Sequence, residues 1–140
     1  MKKYPLAIAL LFWLSNIALA QNEPQTASFI LTDPNEVLKH ENELVVVEGC
    51  VMSAKRLDQV NGKPIFLDMF AAYPNNVLTI AIWEEDQSKF QGPEAYDKKR
   101  VRVSGRAKKR ATPSEGKTAQ ERVTISLHDP KQITILEDCQ

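Results

Sequence analysis

Cysteine and histidine are scarce in this 140-residue chain, which has two of each. The cysteines are Cys50 and Cys139, and the histidines are His40 and His128. No C-x-x-C pair and no Cys/His cluster occurs, so the chain has neither a redox motif nor the ligand spacing of a structural zinc site. Because the two histidines lie far apart in sequence, they are interpreted as solvated or capping residues rather than as general bases.

The common catalytic motifs are missing as well. The chain contains no G-x-S-x-G nucleophile turn, no Walker loop and no H-E-x-x-H pattern. The acidic run Glu84-Glu85-Asp86 offers oxygen ligands for a cation, but no second acidic cluster accompanies it. We interpret the run as the acidic start of a short helix. The sequence therefore predicts a protein that is not an enzyme, with no metal site and no cofactor.

The chain has no excess of charge of either sign. Lysine and arginine together number 18, and so do aspartate and glutamate. Lys2 and Lys3 belong to a predicted cleavable leader, so the mature chain carries a formal net charge of −2. The overall charge therefore indicates no partner, and any electrostatic argument depends on local clustering.

The N-terminus has the pattern of a secretory signal peptide. Lys2 and Lys3 precede an apolar run from Leu6 to Leu14, and an A-x-A cleavage site ends at Ala20. The run is too short to span a bilayer comfortably, which makes a membrane anchor the weaker alternative. We predict a signal peptide over 1–20, a flexible lead-in over 21–32 and one domain over 33–140. The mature protein is predicted to be periplasmic or secreted, with no membrane anchor after cleavage.

The predicted export bears on the two cysteines, because it would place them where disulfides form. In an oxidising compartment, a pair of cysteines that survives cleavage is a candidate disulfide. Sequence alone does not show that Cys50 and Cys139 are close enough to bond. A bridge between them is therefore a hypothesis, which the outward phase of Cys50 in its predicted strand supports.

Apolar and polar residues alternate in five segments, as is typical of half-buried β-strands. The segments cover residues 43–57, 64–70, 77–83, 99–110 and 121–127. A short helix capped by Thr32 or Asp33 is predicted before the first strand. An irregular segment or short helix is predicted between strands three and four. The remaining predictions are a polar loop over 111–120 and a short extended piece at the C-terminal end.

Two of the predicted strands share the pattern V-x-V-x-G. The first places Gly49 in phase with Val45 and Val47, and the second places Gly105 in phase with Val101 and Val103. A glycine within a strand usually marks a bulge or a tight bend, and small closed barrels need such bends at their corners. The pattern favours an all-β fold, a five-stranded Greek-key OB-fold barrel, over a generic antiparallel sandwich.

Several short motifs between Asp33 and Ile135 carry a family resemblance. They are Phe66-Leu67-Asp68, Tyr73-Pro74-Asn75, Ile82-Trp83 leading to Phe90, the V-x-V-x-G at 101–105, and Asp129-Pro130 before Gln132-Ile133. In this order they resemble bacterial exported OB-fold proteins. They are also similar to the nucleic-acid-binding-like OB modules attached to some secreted nucleases. The resemblance implies the fold, whereas the longer, aromatic-free connection "KKRATPSEGKTAQE" departs from the family at the loop that borders the OB-fold binding face.

The segment from Lys98 to Ala111 is the most basic part of the chain. Valines 101 and 103 point one way in the predicted strand, so the cations stand on its outer face or in the following loop. One interpretation is a solvated, edge-protecting surface, neutralised by acids such as Glu48 or Glu121. The other is a ligand surface, with Phe66, Phe70 and Tyr73 as aromatic stacking platforms. The candidate cations are Arg100, Arg102, Arg106, Lys108, Lys109, Arg110 and Lys117.

Three kinds of ligand fit an exported OB-fold binding module. Single-stranded nucleic acid or another polyanion is the leading class, because single-strand binders combine a basic groove with aromatic platforms. A periplasmic protein partner is the alternative, with the basic strand contacting the acids of that partner. An oligosaccharide is the third candidate, since this fold also binds sugars.

Overall fold

The computed structural model describes residues 29–114 and 117–140, with side chains for 29–110 and 120–140. The predicted signal peptide, residues 21–28 of the predicted lead-in and the side chain of Lys117 lie outside the described part. No helix in the described residues is both long and apolar enough to cross a membrane.

Seven strands account for most of the described residues. Their bounds are β1 Ile30–Leu31, β2 Leu44–Arg56, β3 Ile65–Met69, β4 Leu78–Ile82, β5 Lys99–Ser114, β6 Lys117–Ser126 and β7 Ile133–Asp138. The strands pair in the order β1-β2-β3-β4-β6-β5-β7, and β2 also pairs with β5. That extra pairing closes β2, β3, β4, β6 and β5 into a barrel. Strands β4 and β6 run parallel, whereas the other barrel pairs are antiparallel.

This strand order is that of the OB-fold, so the predicted fold is confirmed. The short N-terminal helix, α1 (Pro34–Val37), is also present, and the Asp33 side chain caps it by accepting a hydrogen bond from the Asn35 amide at 2.8 Å. Two 3-10 segments, Glu84–Lys89 and Pro93–Ala95, occupy the connection between β4 and β5.

The two longest strands turn the corners of the barrel at their glycines. Strand β2 pairs with β5 up to Cys50 and with β3 from Val51 onward, while β5 changes partner from β2 to β6 after Arg106. Gly49 and Gly105 lie immediately before these changes of partner. A Cβ atom at Gly49 would lie 2.5 Å from the Phe70 ring, and one at Gly105 would lie 2.5 Å from the Ile125 side chain. Both positions therefore disfavour larger residues, because a neighbouring side chain comes too close.

The inward residues of the five barrel strands form one hydrophobic core. Val47, Leu67, Ile80, Val103 and Ile125, one from each strand, have no exposed surface. Burying a side chain of this size stabilises the fold by about 1.5–3 kcal/mol. The inward phase of all five predicted strands is thus confirmed, including that of the valines in the basic segment.

The structure corrects the prediction of a polar loop over 111–120. Strand β5 continues to Ser114 and β6 already begins at Lys117, and Ala111 to Ser114 pair with residues 117–121 of β6. These strands were not predicted because the sequence over 111–120 is mostly polar, contains Pro113 and Gly116, and lacks the apolar alternation of a half-buried strand. Strand β1 was likewise missed, since its two residues lie in the predicted lead-in.

The predicted disulfide between Cys50 and Cys139 is confirmed, with the two Cα atoms 6.1 Å apart. Cys50 lies on the outward side of β2 beside Gly49, and Cys139 follows β7. Because β5 pairs with β2 on one side and β7 on the other, the bridge joins the two neighbours of β5. It fastens the C-terminal strand to the barrel.

Candidate functional site

The registers of the barrel strands line up a row of polar residues on the outer surface. Ser53 pairs with Asp68, Asp68 with Thr79, Thr79 with Thr124, and Thr124 with Lys108. Paired residues point to the same side of a sheet, so this row crosses all five strands on one face. We call this surface, the outer side of β3, β4 and β6 with the adjoining parts of β2 and β5, the ligand face.

A pocket of about 410 Å³ opens on the ligand face beneath the loop between β3 and β4. Its volume lies within the range of about 300–1,000 Å³ that is usual for small-molecule sites. It is lined from β2 by Ser53 and Lys55, from β3 by Phe66 and Asp68, and from other elements and loops by Leu57, Ala72, Tyr73, Asn76, Thr79 and Arg122.

Three of these residues form a hydrogen-bonded network at the base of the pocket. The amide nitrogen of Asn76 donates to Asp68 Oδ1 at 2.9 Å and to Thr79 Oγ1 at 2.7 Å, and the Thr79 hydroxyl donates to Asp68 Oδ1 at 2.9 Å. Asn76 and Asp68 are 2% and 9% exposed. The network uses both amide hydrogens of Asn76, and its Oδ1 atom is buried with no hydrogen-bond partner.

Burial raises the pKa of the Asp68 carboxyl above its ordinary value. Hydrogen bonds from Thr79 and the Tyr73 backbone, together with the charge of Arg122, act in the opposite direction but do not cancel the effect of burial. Asp68 is thus a partly desolvated acid in a pocket, which is an environment more often found at binding sites than on ordinary surfaces.

Tyr73 and Arg122 form one side of the pocket. The guanidinium carbon of Arg122 lies 4.9 Å from the centre of the Tyr73 ring, within the range of a cation–π contact. Arg122 also donates from Nη2 to the Pro74 carbonyl at 2.7 Å, while its Nε is buried without a partner. Tyr73 is 69% exposed. An aromatic ring with this exposure beside a fixed cation is suited to stack on a planar ligand.

Phe66 and Trp83 extend the aromatic surface along the same face. Their rings meet edge to face with centres 6.2 Å apart, and the Trp83 indole donates to Ser126 Oγ at 3.1 Å. Two of the three predicted platforms, Phe66 and Tyr73, therefore line the pocket. Trp83 belongs to one of the family motifs but was not among the predicted platforms.

The third predicted platform, Phe70, does not line this pocket. Its ring packs against Gly49 and the hydrophobic core. Phe70 has a positive φ of 68°, which breaks the alternation of β3 and turns its side chain toward the barrel interior. A period-two pattern cannot show such a turn, and for this reason the strand phase misplaced the residue.

The structure divides the basic segment between two walls of the barrel. Glu48 accepts ion pairs from Arg100 at 3.1 Å and from Arg102 at 3.0 Å, on the wall formed by β2, β5 and β7. The hydrogen bond from Arg102 is the main reason that the pKa of Glu48 is lowered. Arg106 on the same wall donates to the Asn42 carbonyl. These three arginines bond other groups of the protein itself and do not line the pocket.

The second half of the basic segment adjoins the ligand face. Lys108 ends the transverse row, and Arg110 pairs directly with Arg122 across β5 and β6. Lys108 and Arg110 are exposed, whereas Lys109 points along the other phase and approaches Glu121 at 3.7 Å. Both acids expected to neutralise the basic strand, Glu48 and Glu121, do so, but they reach only part of it.

The acidic run lies in the first turn of the 3-10 segment Glu84–Lys89, as predicted, and Asp86 also bonds two neighbouring side chains. Asp86 accepts an ion pair from Lys89 at 2.7 Å and lies 2.8 Å from His128 Nδ1, and no side chain caps the 3-10 segment that contains it. Hydrogen bonds from Lys89 and then His128 lower the pKa of Asp86. Within the described residues, no group of three or more His, Cys, Asp or Glu is placed to hold a metal ion.

Sequence reasoning missed several residues of the site, namely Lys55, Asp68, Asn76, Thr79, Trp83 and Arg122. Four of them lie on four different strands, Asn76 lies in the loop after β3 and Trp83 follows β4, so no local motif joins them. One signal was present: Asp68 and Thr79 occupy the polar phase of strands that are otherwise apolar. Aligning those two strands by their outward residues would have placed them side by side.

No protein-family model and no curated protein sequence matches the chain. Among solved structures, the chain is similar to an aspartyl-tRNA synthetase from Entamoeba histolytica, with a TM-score of 0.51 and 15% identity over 86% of this chain. A protein assigned as an aspartyl-tRNA synthetase from Leishmania major Friedlin also gives 0.51, with 10% identity over 86% of this chain. The chain spans 24% and 23% of these proteins. At this identity the likeness supports the OB-fold alone.

Proposed function

We propose that the protein is an exported, non-enzymatic OB-fold module that binds single-stranded nucleic acid. The observation that carries the proposal is the composition of the ligand face, where the exposed Tyr73 ring and Arg122 meet over a pocket on β3 and β4. Single-strand binders of this fold use that face, with aromatic rings for the bases and cations for the phosphates. The solved structures of the same fold belong to synthetases that act on tRNA by name, which is in keeping with the proposal.

Two observations support export. Residues 1–20 have the order of a signal peptide, with a basic start, an apolar run and a small-residue cleavage site. The Cys50–Cys139 disulfide is compatible with an oxidising compartment, where such bridges persist. Both fit a protein that works in the periplasm or outside the cell and meets extracellular nucleic acid there.

The experiment compares the two halves of the basic segment. Fluorescence anisotropy measures the affinity for a labelled oligothymidine over a range of salt concentrations. Replacing Lys108 and Arg110 by Ser removes two cations from the ligand face, and the slope of log affinity against log salt should flatten by about 1.4. Replacing Arg100 and Arg102 by Ser is the matched control, which should leave that slope unchanged because these arginines lie on the other wall.

Stability has to be measured beside affinity in this comparison. The control variant leaves Glu48, whose side chain is 16% exposed, without its two arginine partners, so it should unfold more easily than the wild type. Tyr73→Ala supplies the complementary test, with a loss of about 1–3 kcal/mol in binding and an unfolding free energy within about 0.5 kcal/mol of wild type. Wild-type protein that fails to bind oligothymidine at low salt refutes the nucleic-acid function.

A protein contact is the second candidate function, and strand β7 favours it. Among the described strands β7 pairs only with β5, and it exposes Ile135 and Leu136 at 38% and 39%. An open strand edge can add a strand from a partner. If a protein contact is the function, blocking the exposed edge of β7 should abolish binding of the partner. The wild-type protein should then show no affinity for oligothymidine.

A further inference from the structure

The pocket on the ligand face contains an acid, which restricts what can enter it. Asp68 is 9% exposed and lines the pocket beside Asn76 and Thr79. A phosphate group placed there would face a carboxylate at short range in a partly desolvated site, where like charges repel strongly. The base of the pocket beside Asp68 thus disfavours a phosphate, while the cations Lys55 and Arg122 line other parts of the same pocket.

The network of Asp68, Asn76 and Thr79 offers acceptors and no free donor to a ligand, whereas the donor without a partner in the pocket is the buried Arg122 Nε. An ionised carboxylate has about four acceptor sites, and Asp68 uses two of them, both on Oδ1, for Asn76 and Thr79. Both amide hydrogens of Asn76 are taken, so its partnerless Oδ1 is an acceptor too. The carboxylate fixes this orientation of the amide, since a flipped Asn76 would turn an oxygen toward Asp68. A complementary ligand group must therefore donate hydrogen bonds.

The sides of the pocket add a requirement for shape. Phe66 and the 69% exposed Tyr73 are both aromatic, and Arg122 lies over the Tyr73 ring. Flat rings stack on such surfaces with little regard to their sequence. The pocket thus combines aromatic sides with an acceptor base, which matches a planar ring that carries N–H groups on its edge.

Cations surround the mouth of the pocket and decide between the ligands that carry such donors. Lys55 lines the pocket on the β2 side, and Lys108 and Arg110 follow on β5 beyond Arg122. A neutral oligosaccharide could also stack and donate hydrogen bonds, but it would leave these charges unused. A nucleic acid uses them, because its phosphates pass outside the pocket while one base enters it.

On the basis of the proposed function, we infer that the pocket holds a single nucleobase inserted edge-first. The Watson–Crick edge of the base donates a hydrogen bond, N3–H in thymine, to the acceptors of Asp68 and Asn76, its ring stacks on Tyr73, and the flanking phosphates lie toward Arg122, Lys108 and Arg110. Asp68 and Asn76 are binding residues in this arrangement, and they make the protein a reader of unpaired bases rather than a general polyanion binder.

Two comparisons at about 150 mM salt test the inference, since exposed charges are largely screened there. The first compares oligothymidine with an oligomer of N3-methylthymidine, which has the same backbone and ring but lacks the N3–H donor. Affinity for the methylated oligomer should fall by roughly tenfold, because buried acceptors are left without partners. The second compares wild type with Asp68→Asn, which keeps the shape and the Oδ1 acceptor but places a donor where the base donates. This variant should also bind roughly tenfold more weakly.

The Asp68→Asn variant separates the two views of the pocket by the sign of its effect. If a phosphate entered the pocket, removing the carboxylate would strengthen binding. Glu121→Gln is the matched control, because it removes the same charge beside the ligand face but outside the pocket, and it should not weaken binding. Equal affinity for both oligomers, or tighter binding by Asp68→Asn, overturns the inference and leaves the proposed function intact. No binding to oligothymidine overturns both.

Discussion

The ionised form of Asp68 destabilises the folded protein. Because burial raises its pKa in the folded protein, the protonated form is favoured there more than in the unfolded chain. The stability linked to this shift is fully present below the unfolded pKa, near 3.8, and is lost as the pH rises through the raised folded value. At neutral pH the chain therefore keeps a destabilising charge, which is common where a residue serves binding.

Replacing Asp68 by Asn should stabilise the protein at pH 7 and have little effect near pH 3. The carboxamide preserves the acceptor for Asn76 and Thr79 but carries no charge at any pH, and each unit of pKa shift corresponds to about 1.4 kcal/mol. Urea unfolding of both proteins at the two pH values measures the difference. A variant that is less stable than wild type at pH 7 would show that the carboxylate supports the fold.

The corner where β2 leaves β5 for β3 depends on a pair of residues, Gly49 and Phe70. The Phe70 ring occupies the space that a Cβ atom at position 49 would need. The glycine lets the ring close over the core at the bend, and the positive φ of Phe70 turns the ring inward. This contact packs the Phe70 ring against the core at the corner.

A double-mutant cycle at this corner should show strong coupling. Phe70→Ala should cost about 2–3 kcal/mol of unfolding free energy, since the ring is only partly buried, and Gly49→Ala should cost about 1–3 kcal/mol through overpacking. The double variant should lose less than the sum, because removing the ring makes room for the new methyl group. Chemical denaturation measures all three proteins. Additive losses, or weakened oligothymidine binding by Phe70→Ala in folded protein, would argue against this assignment.

The strands could be predicted from the sequence where one of their faces is buried. Alternation placed Val47, Leu67 and Ile125 in the core, and the glycines of V-x-V-x-G marked the corners. Alternation did not reveal the strand extensions within 111–120, because apolar and polar residues do not alternate there. The pocket could not be predicted either. It depends on the registers between strands and on the backbone turn at Phe70, and a local sequence pattern indicates neither of these.

At the scale of the whole molecule, the Cys50–Cys139 bridge attaches the C-terminal end of the chain to the barrel. The bridge links the two strands that flank β5, and the Cys139 amide donates to the Lys98 carbonyl at 2.9 Å. Strand β7 pairs only with β5 among the described strands, so its attachment to the barrel depends on that pairing and on the bridge.

Replacing both cysteines by Ser should lower the unfolding free energy by roughly 2–5 kcal/mol, because the bridge closes a loop of 89 residue steps in the unfolded chain. Oligothymidine affinity should be unchanged under conditions where the variant is folded, since the pocket lies on the other wall. Denaturation under non-reducing conditions measures the loss. The intact mass of the exported wild type should correspond to a chain that starts at Gln21 and lacks two hydrogens. A loss below about 1 kcal/mol would mean that β7 holds its place without the bridge.

The transverse row on the ligand face also sets a length scale for the ligand. Five neighbouring strands are separated by four gaps of about 4.8 Å, so a chain that crosses them meets the protein over roughly 19 Å. OB-folds cover about 4–16 nucleotides, and a path this short corresponds to the lower end of that range. Under the proposed function, one molecule occupies only a few nucleotides. A longer strand is then a lattice of overlapping sites, on which apparent affinity should grow with the number of registers available rather than with new contacts.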